Sequence, residues 1–280
     1  ATGIVASLTG TASFGSSVMG LAGIESILSS TGNDTLSGAI GTRETLNGHA
    51  GVDDTVTYAG QGTALTVTLS NAGSATVEAS SVTDYLYSVE HIIGGSGNDT
   101  FVGAMDSAGG ALNANYLVDG GAGSNNRLDM TAHNRALTYT LTGSASGNQS
   151  LATTIGTTAA TMAFTNIQFA RGSNTQIDTF NTQFGTGMTL HGGINDGDIL
   201  ALQTAGSYTI NLAAGTVSLT GSSGTMSIVD IEKIRSYNGN YADLFIAAVG
   251  PNEYNSYAGT DTLDYYQGGA VANLTVNLAG

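Results

Sequence analysis

GGSGNDTFV, residues 94–102, is the stretch that decides how this chain folds. Related phrases return along the sequence: TGNDTLSG at 31–38, GGAGSNNRL at 120–128, GGINDGDIL at 192–200 and AGTDTLDY at 258–265. Glycine permits tight turns that bring backbone carbonyls inward. The aspartate that follows supplies a hard oxygen ligand, and the apolar residue after it opens a short strand. Together these features describe a calcium-binding turn in a stacked β architecture. They point to a structural or binding role outside the cell rather than to catalysis.

Working outward from that phrase, an imperfect repeat of roughly 65 to 79 residues emerges. Val56, Leu128, Leu200 and Leu263 begin strands 72, 72 and 63 residues apart. A short apolar–acidic phrase appears as GIESI at 23–27, SVEHI at 88–92 and DIEKI at 230–234. The third copy carries TNIQF at 165–169, aligned with Asn where the acid is expected. Asp34, Asp99, Asp178 and Asp243 follow in the same order, each leading into Leu or Phe within two residues. The chain therefore divides into copies at 1–51, 52–123, 124–195 and 196–259, with 260–280 as the start of a further copy.

A finer period runs inside the copies. Thr35, Thr45 and Thr55 each precede an apolar residue at ten-residue spacing, as do Thr179, Thr189 and Ile199. That spacing is too short to hold a helix between strands and is that of a β-solenoid. Other segments alternate with period two, as in Leu65, Val67, Leu69 and Leu137, Tyr139, Leu141 and Leu274, Val276, Leu278, which reads as half-buried strand. Helix signals are weak; residues 20–28 and 84–93 have room for one helical turn each. The fold expected is all-β: a repeat-built β-solenoid or β-roll with longer β excursions, stabilised by calcium.

Composition narrows the function classes. Among 280 residues, 21 are acidic and six basic, a formal net charge of −15. Nucleic acid and anionic membrane surfaces would repel such a chain. No apolar run approaches the roughly 18 residues that span a bilayer. With no cysteine, disulfides and thiolate metal sites are excluded. Bound cations would both neutralise the acidic surface and act as the staple. The ends complete each other: VNLAG at 276–280 followed by ATGIVASLTG at 1–10 matches INLAAGTVSLTG at 210–221. The 280 residues open and close in mid-repeat, as a window of a longer array or as one tandem unit. Residues 3–8 are expected to pair with residues 274–278 of an adjacent unit.

The phrases GGSGNDTFV and GGINDGDIL, within a frame of DTLDY-like strand, TVNLAG-like strand, IExI phrase and GSGNDTL turn, resemble the RTX (hemolysin-type) calcium-binding repeats of large bacterial adhesins and surface-layer proteins. The likeness covers most of the chain and is weakest in the third copy. It implies Ca²⁺ at Asp34, Asp54, Asp99, Asp196, Asp198, Asp243 and Asp261. It implies that Gly32, Gly51, Gly95, Gly97, Gly121, Gly123, Gly193 and Gly259 shape the loops. Asn125 and Asn126 depart from the pattern, standing where Asp is expected. Glu25, Glu90 and Glu232 of the apolar–acidic phrase read as solvated strand ends.

Nothing favours an enzyme. His49, His91, His133 and His191 lack zinc spacing, and no GxSxG elbow is present. His49 and His191 fall at similar repeat positions and suit turns. Tyr254, Tyr257, Tyr265 and Tyr266 form an aromatic ladder or, as the rival reading, a surface for polysaccharide or a second subunit. The function expected is an extracellular structural repeat protein, forming a stiff cell-surface fibre, matrix filament or surface layer whose partners are copies of itself. Two alternatives stand beside it: a non-polymerising adhesin stalk, and the repeat region of a secreted enzyme whose catalytic domain lies elsewhere.

Overall fold

A computed structural model describes residues 3–8, 10–70, 73–103, 116–144, 147, 149–155, 158–185, 187–195, 197–248 and 252–265. The described residues form 28 strands and no helix. They fall into four units of seven strands, each in the same order. The first unit is β1 (Ile4–Ser7), β2 (Thr11–Phe14), β3 (Ser17–Gly20), β4 (Ser26–Leu28), β5 (Thr35–Ser37), β6 (Thr45–Asn47) and β7 (Thr55–Thr57). The second is β8 (Thr66–Leu69), β9 (Ala75–Ala79), β10 (Val82–Tyr87), β11 (His91–Ile93), β12 (Thr100–Gly103), β13 (Leu117–Asp119) and β14 (Arg127–Asp129). The third is β15 (Thr138–Leu141), β16 (Gln149–Ile155), β17 (Thr158–Thr165), β18 (Phe169–Arg171), β19 (Thr179–Thr182), β20 (Thr189–His191) and β21 (Ile199–Leu202). The fourth is β22 (Tyr208–Asn211), β23 (Thr216–Leu219), β24 (Met226–Val229), β25 (Lys233–Arg235), β26 (Leu244–Ile246), β27 (Glu253–Asn255) and β28 (Thr262–Asp264).

Each unit opens with a three-stranded antiparallel meander and continues with four single strands. The single strands are short because glycine-rich turns bound them. Thr45-Leu46-Asn47 is representative: only Leu46 turns inward, and it is fully buried. In a pleated strand alternate side chains face opposite sides, so three residues present one side chain to the core. Consecutive single strands lie in opposite sheets. Ten residues are thus half a coil, and about twenty return the chain to the same sheet, as in β5 beside β7 with Leu36 opposite Val56.

The two sheets have 14 strands each. Strands that meet from different coils are parallel, and only the middle strand of each meander runs against its neighbours. Because a unit has an odd number of strands, successive meanders fall in alternate sheets. β1–β3 and β15–β17 lie in one sheet, and β8–β10 and β22–β24 in the other. The core runs between the sheets as a column of Leu36, Leu46, Val56, Phe101, Val118 and Leu128, continuing through Phe180, Leu190 and Leu200. Each such side chain contributes on the order of 1.5–3 kcal/mol by leaving water.

The alternation of Leu65, Val67 and Leu69 and of Leu137, Tyr139 and Leu141 appears as expected, with all six buried on β8 and β15 and the residues flanking them. Leu274, Val276 and Leu278 lie outside the described residues, as do the expected pairing of residues 274–278, Tyr266 and Asp196. The segments given room for a helical turn contain none. Residues 84–93 hold the end of β10 and all of β11, and residues 20–28 hold the end of β3 and all of β4. A left-handed residue interrupts both, Gly23 at φ 66° and Ser88 at φ 51°. Its matches in the other units, Asn166 and Asp230, take φ 54° and 48°. That residue redirects the chain from one sheet to the other, and a right-handed helix cannot pass through it. The third unit repeats poorly in sequence because its meander is longer, with seven residues in β16 and eight in β17.

Candidate functional site: an aspartate relay at the turns

The aspartates of the recurring phrase sit immediately before strands and point inward. Their oxygens meet backbone N–H groups of the neighbouring coil. In the second unit Leu65 N–H donates to Asp99 Oδ1 at 2.8 Å, and Asp99 N–H donates to Asn126 Oδ1 at 2.8 Å. Asn126 N–H then donates to Gln168 Oε1 at 2.6 Å. The third unit repeats this with Leu137 to Asp178 at 2.7 Å, Asp178 to Asp198 at 2.6 Å and Asp198 to Glu232 at 3.0 Å. In the first unit Ile4 N–H donates to Asp34, Asp34 to Asp54 at 2.7 Å and Asp54 to Glu90 at 2.9 Å. The fourth unit begins the same way, Tyr208 to Asp243 at 2.8 Å and Asp243 to Asp261 at 2.9 Å.

Each relay threads four positions: the start of the meander, the fifth strand, the seventh strand, and the fourth strand of the next unit. The last position is the acid of the apolar–acidic phrase. Glu90 and Glu232 are therefore hydrogen-bond acceptors rather than solvated strand ends. In the third unit the acid's place lies two residues beyond the Asn166 that the sequence alignment put there. Asn166 is its left-handed residue, and Gln168 stands at the acid's place. Asn126 likewise keeps the relay intact, since an amide oxygen accepts as a carboxylate does.

The second carboxylate oxygen decides how each aspartate is held. It accepts Ser30 N–H at 2.9 Å in Asp34, Gly51 N–H at 3.2 Å in Asp54, Gly95 N–H at 2.7 Å in Asp99 and Ser173 N–H at 2.5 Å in Asp178. Asp198 Oδ2 and Asp243 Oδ2 are buried and have no hydrogen-bond partner among the described residues. Burial raises the Asp178 pKa to about 7 and that of Asp198 to about 6, with like charge from Glu232 adding to the latter. Asp54 and Asp99 are raised for the same reason. Burial also pushes Asp34 upward, but donors from Ile4, Ser29 and Ser30 outweigh it and leave the group below its ordinary value.

The glycines expected to shape the loops lie at these turns. Gly121, Gly193 and Gly259 take φ of 75°, 139° and 144°. Gly51, Gly95, Gly97 and Gly123 pass so close to neighbouring carboxylate, amide or backbone groups that a methyl group would collide, and Gly32 is the buried residue before Asn33. Gly192 is the most telling: a Cβ there would run into both Asp198 Oδ2 and the Asp230 carbonyl. His49, at φ 67°, sits in a turn, whereas His191 ends β20. Tyr254 packs edge-on against Phe245 rather than into a tyrosine ladder.

One acidic cluster escaped the sequence reading. Glu44 N–H donates to Asp84 Oδ1 at 2.8 Å, and Tyr58 Oη donates to Asp84 Oδ2 at 3.0 Å. Both acids are buried, and burial raises Glu44 to about 7. The signal was faint, because the matching pairs in later units are Tyr116 with Met162 and Met188 with Met226.

The donor set suits a hard cation in kind, being all oxygen. Among the described residues, no three of His, Cys, Asp and Glu are grouped so that they could hold a metal ion. In Asp34, Asp54 and Asp99 both oxygens are engaged by N–H groups. Asp198 and Asp243 each keep one buried oxygen that accepts no hydrogen bond among the described residues, the first beside the Asp230 carbonyl. No family model matches this chain, and no curated protein matches it.

Proposed function

We propose that this chain is a structural repeat module of an extracellular fibre, matrix filament or surface layer, and that copies of itself are its partners. The observation that carries this reading is the relay, threaded through three units and begun in the fourth, in which nine of the 21 acidic residues join coil to coil. Acids used in this way act as structural groups, accepting backbone N–H groups from the neighbouring coil. The acidic, cysteine-free composition and the RTX-like phrases support an extracellular setting with calcium as cofactor. Calcium would be held by Asp198 Oδ2, beside the Asp230 carbonyl, and by Asp243 Oδ2, and would neutralise buried charge there. Metal binding of that kind adds directly to folding free energy.

Sedimentation of the purified chain in millimolar calcium and in chelator tests the reading. Concentration-dependent growth into long particles is expected, with a higher thermal midpoint in calcium. A compact monomer at every concentration would favour the non-polymerising stalk instead.

A further inference from the structure

Five arginines and one lysine stand against 21 acidic residues in this chain. Carboxylates are abundant, yet no arginine is in an ion pair among the described residues. The pairs found there are His191 with Asp230 at 3.4 Å and Lys233 with Glu253 at 3.8 Å. Two of these unpaired arginines, Arg127 and Arg171, share one surface. Parallel pairing sets β12, β14, β18 and β20 side by side in one sheet. Phe101, Leu128, Ala170 and Leu190 at their centres are buried, so the residues on either side turn outward. One outward row runs Thr100, Arg127, Phe169, Thr189, and in the next Arg171 stands between Asp129 and His191.

Arg127 is exposed, and its guanidinium carbon lies over the Phe169 ring, 4.5 Å from the centroid. The ring holds the cation in place without using its N–H donors. Arg171 is one strand over and two residues along, which puts the two Cα atoms about 8 Å apart. Its Nε is buried and meets no acceptor among the described residues. The acids beside the pair are engaged elsewhere. Asp129 Oδ1 accepts the Thr131 N–H at 3.0 Å, and Asp230 lies against His191. Two guanidinium groups are thus positioned on one face and left without carboxylates. Bonds from such a fork to a carboxylate are among the strong hydrogen bonds, and the planar geometries match.

We propose that this face, built on Arg127, Phe169 and Arg171, binds the carboxylates of an acidic polysaccharide. Charge complementarity selects an anionic partner. The hydroxyls of Thr100 and Thr189 flank the arginine row and suit a sugar, whose own hydroxyls both donate and accept. A second copy of the chain would carry a net charge of −15 into the same contact. A polysaccharide brings single carboxylates spaced by neutral rings. This partner goes beyond the fibre reading and does not depend on it.

Titration calorimetry of the full chain with a short oligogalacturonate, and with its uncharged methyl ester, tests the face. The acid should bind at least about tenfold more tightly than the ester. Arg127→Gln/Arg171→Gln should lose about tenfold or more of that affinity. Arg43→Gln/Arg235→Gln removes the same charge from exposed positions elsewhere and should keep it. Thermal midpoints report whether each variant is folded. Thr100→Glu is a second, independent block, because it sets a carboxylate beside Arg127 on the neighbouring strand. It should also abolish binding. No binding by the unaltered chain, equal binding of acid and ester, or equal losses in the two double variants overturns the proposal. Self-association that Arg127→Gln/Arg171→Gln abolishes, with no oligogalacturonate bound, gives the face to a second copy and overturns it too.

Discussion

Asn126 Nδ2 donates to the carbonyl oxygen of Asn166 at 3.0 Å. The same place in the third unit sets Asp198 Oδ2 beside the Asp230 carbonyl, both crowding Gly192. An amide satisfies that carbonyl, whereas an ionised carboxylate faces it acceptor to acceptor. Leaving a buried polar atom unpaired costs about 1–3 kcal/mol.

Asp198→Asn should therefore stabilise the chain in chelator at neutral pH. The amide keeps the acceptor for Asp178 N–H and gains a donor toward Asp230. A rise in thermal midpoint of about 2–4 °C per kcal/mol recovered is expected. The gain should shrink in calcium, where the carboxylate has a cation to hold. A lower midpoint in chelator would show that Asp198 Oδ2 is not orphaned.

The buried acids also set a pH dependence. Glu44 and Asp178 titrate at about 7 and Asp198 at about 6, above their ordinary range and chiefly through burial. A carboxyl whose folded pKa is raised favours the fold while protonated, and that contribution is lost as pH rises through the folded value. In chelator the midpoint should fall between about pH 4.5 and 7.5 and level off above that window. Asp198→Asn should flatten part of the slope. A midpoint that climbs with pH across this window contradicts the assignment.

Glu90 accepts Asp54 N–H through one oxygen, and Gln168 performs the same task with an amide. Glu90→Gln should leave thermal stability unchanged or slightly raised. Glu90→Ala strands the Asp54 N–H and should cost about 1–2 kcal/mol. Parallel denaturation of the two variants checks this, and equal losses would mean that charge rather than the hydrogen bond matters at Glu90.

Much of this arrangement was legible in the sequence. Thr-Leu-Asn and Thr-Val-Thr triplets at ten-residue spacing leave no room for helices, and the buried Leu46 and Val56 follow directly. Asp34, Asp99, Asp178 and Asp243 fall at one structural position because every unit needs an acceptor for the first N–H of its meander. The partners of those acids were not legible. Asp99 meets Leu65 and Asn126, separated by 34 and 27 residues, and only the stacking of coils brings them together. The acid's place falls at Gln168, two residues beyond the expected Asn166, because the long β16–β17 hairpin blurs the alignment beside it. Glu44 and Asp84 could not be paired from sequence, since later units place Tyr and Met there.

The central claim, that coils joined by this relay continue from one chain into the next, is tested most directly by the axial repeat of the assembled particle. The fourteen strands per sheet among the described residues, at about 4.8 Å, span roughly 67 Å along the axis. Electron micrographs of filaments grown in calcium should yield layer lines at about 4.8 Å and about 67 Å. Filaments whose subunit spacing does not match that length, or particles that stay monomeric at every concentration, would contradict it.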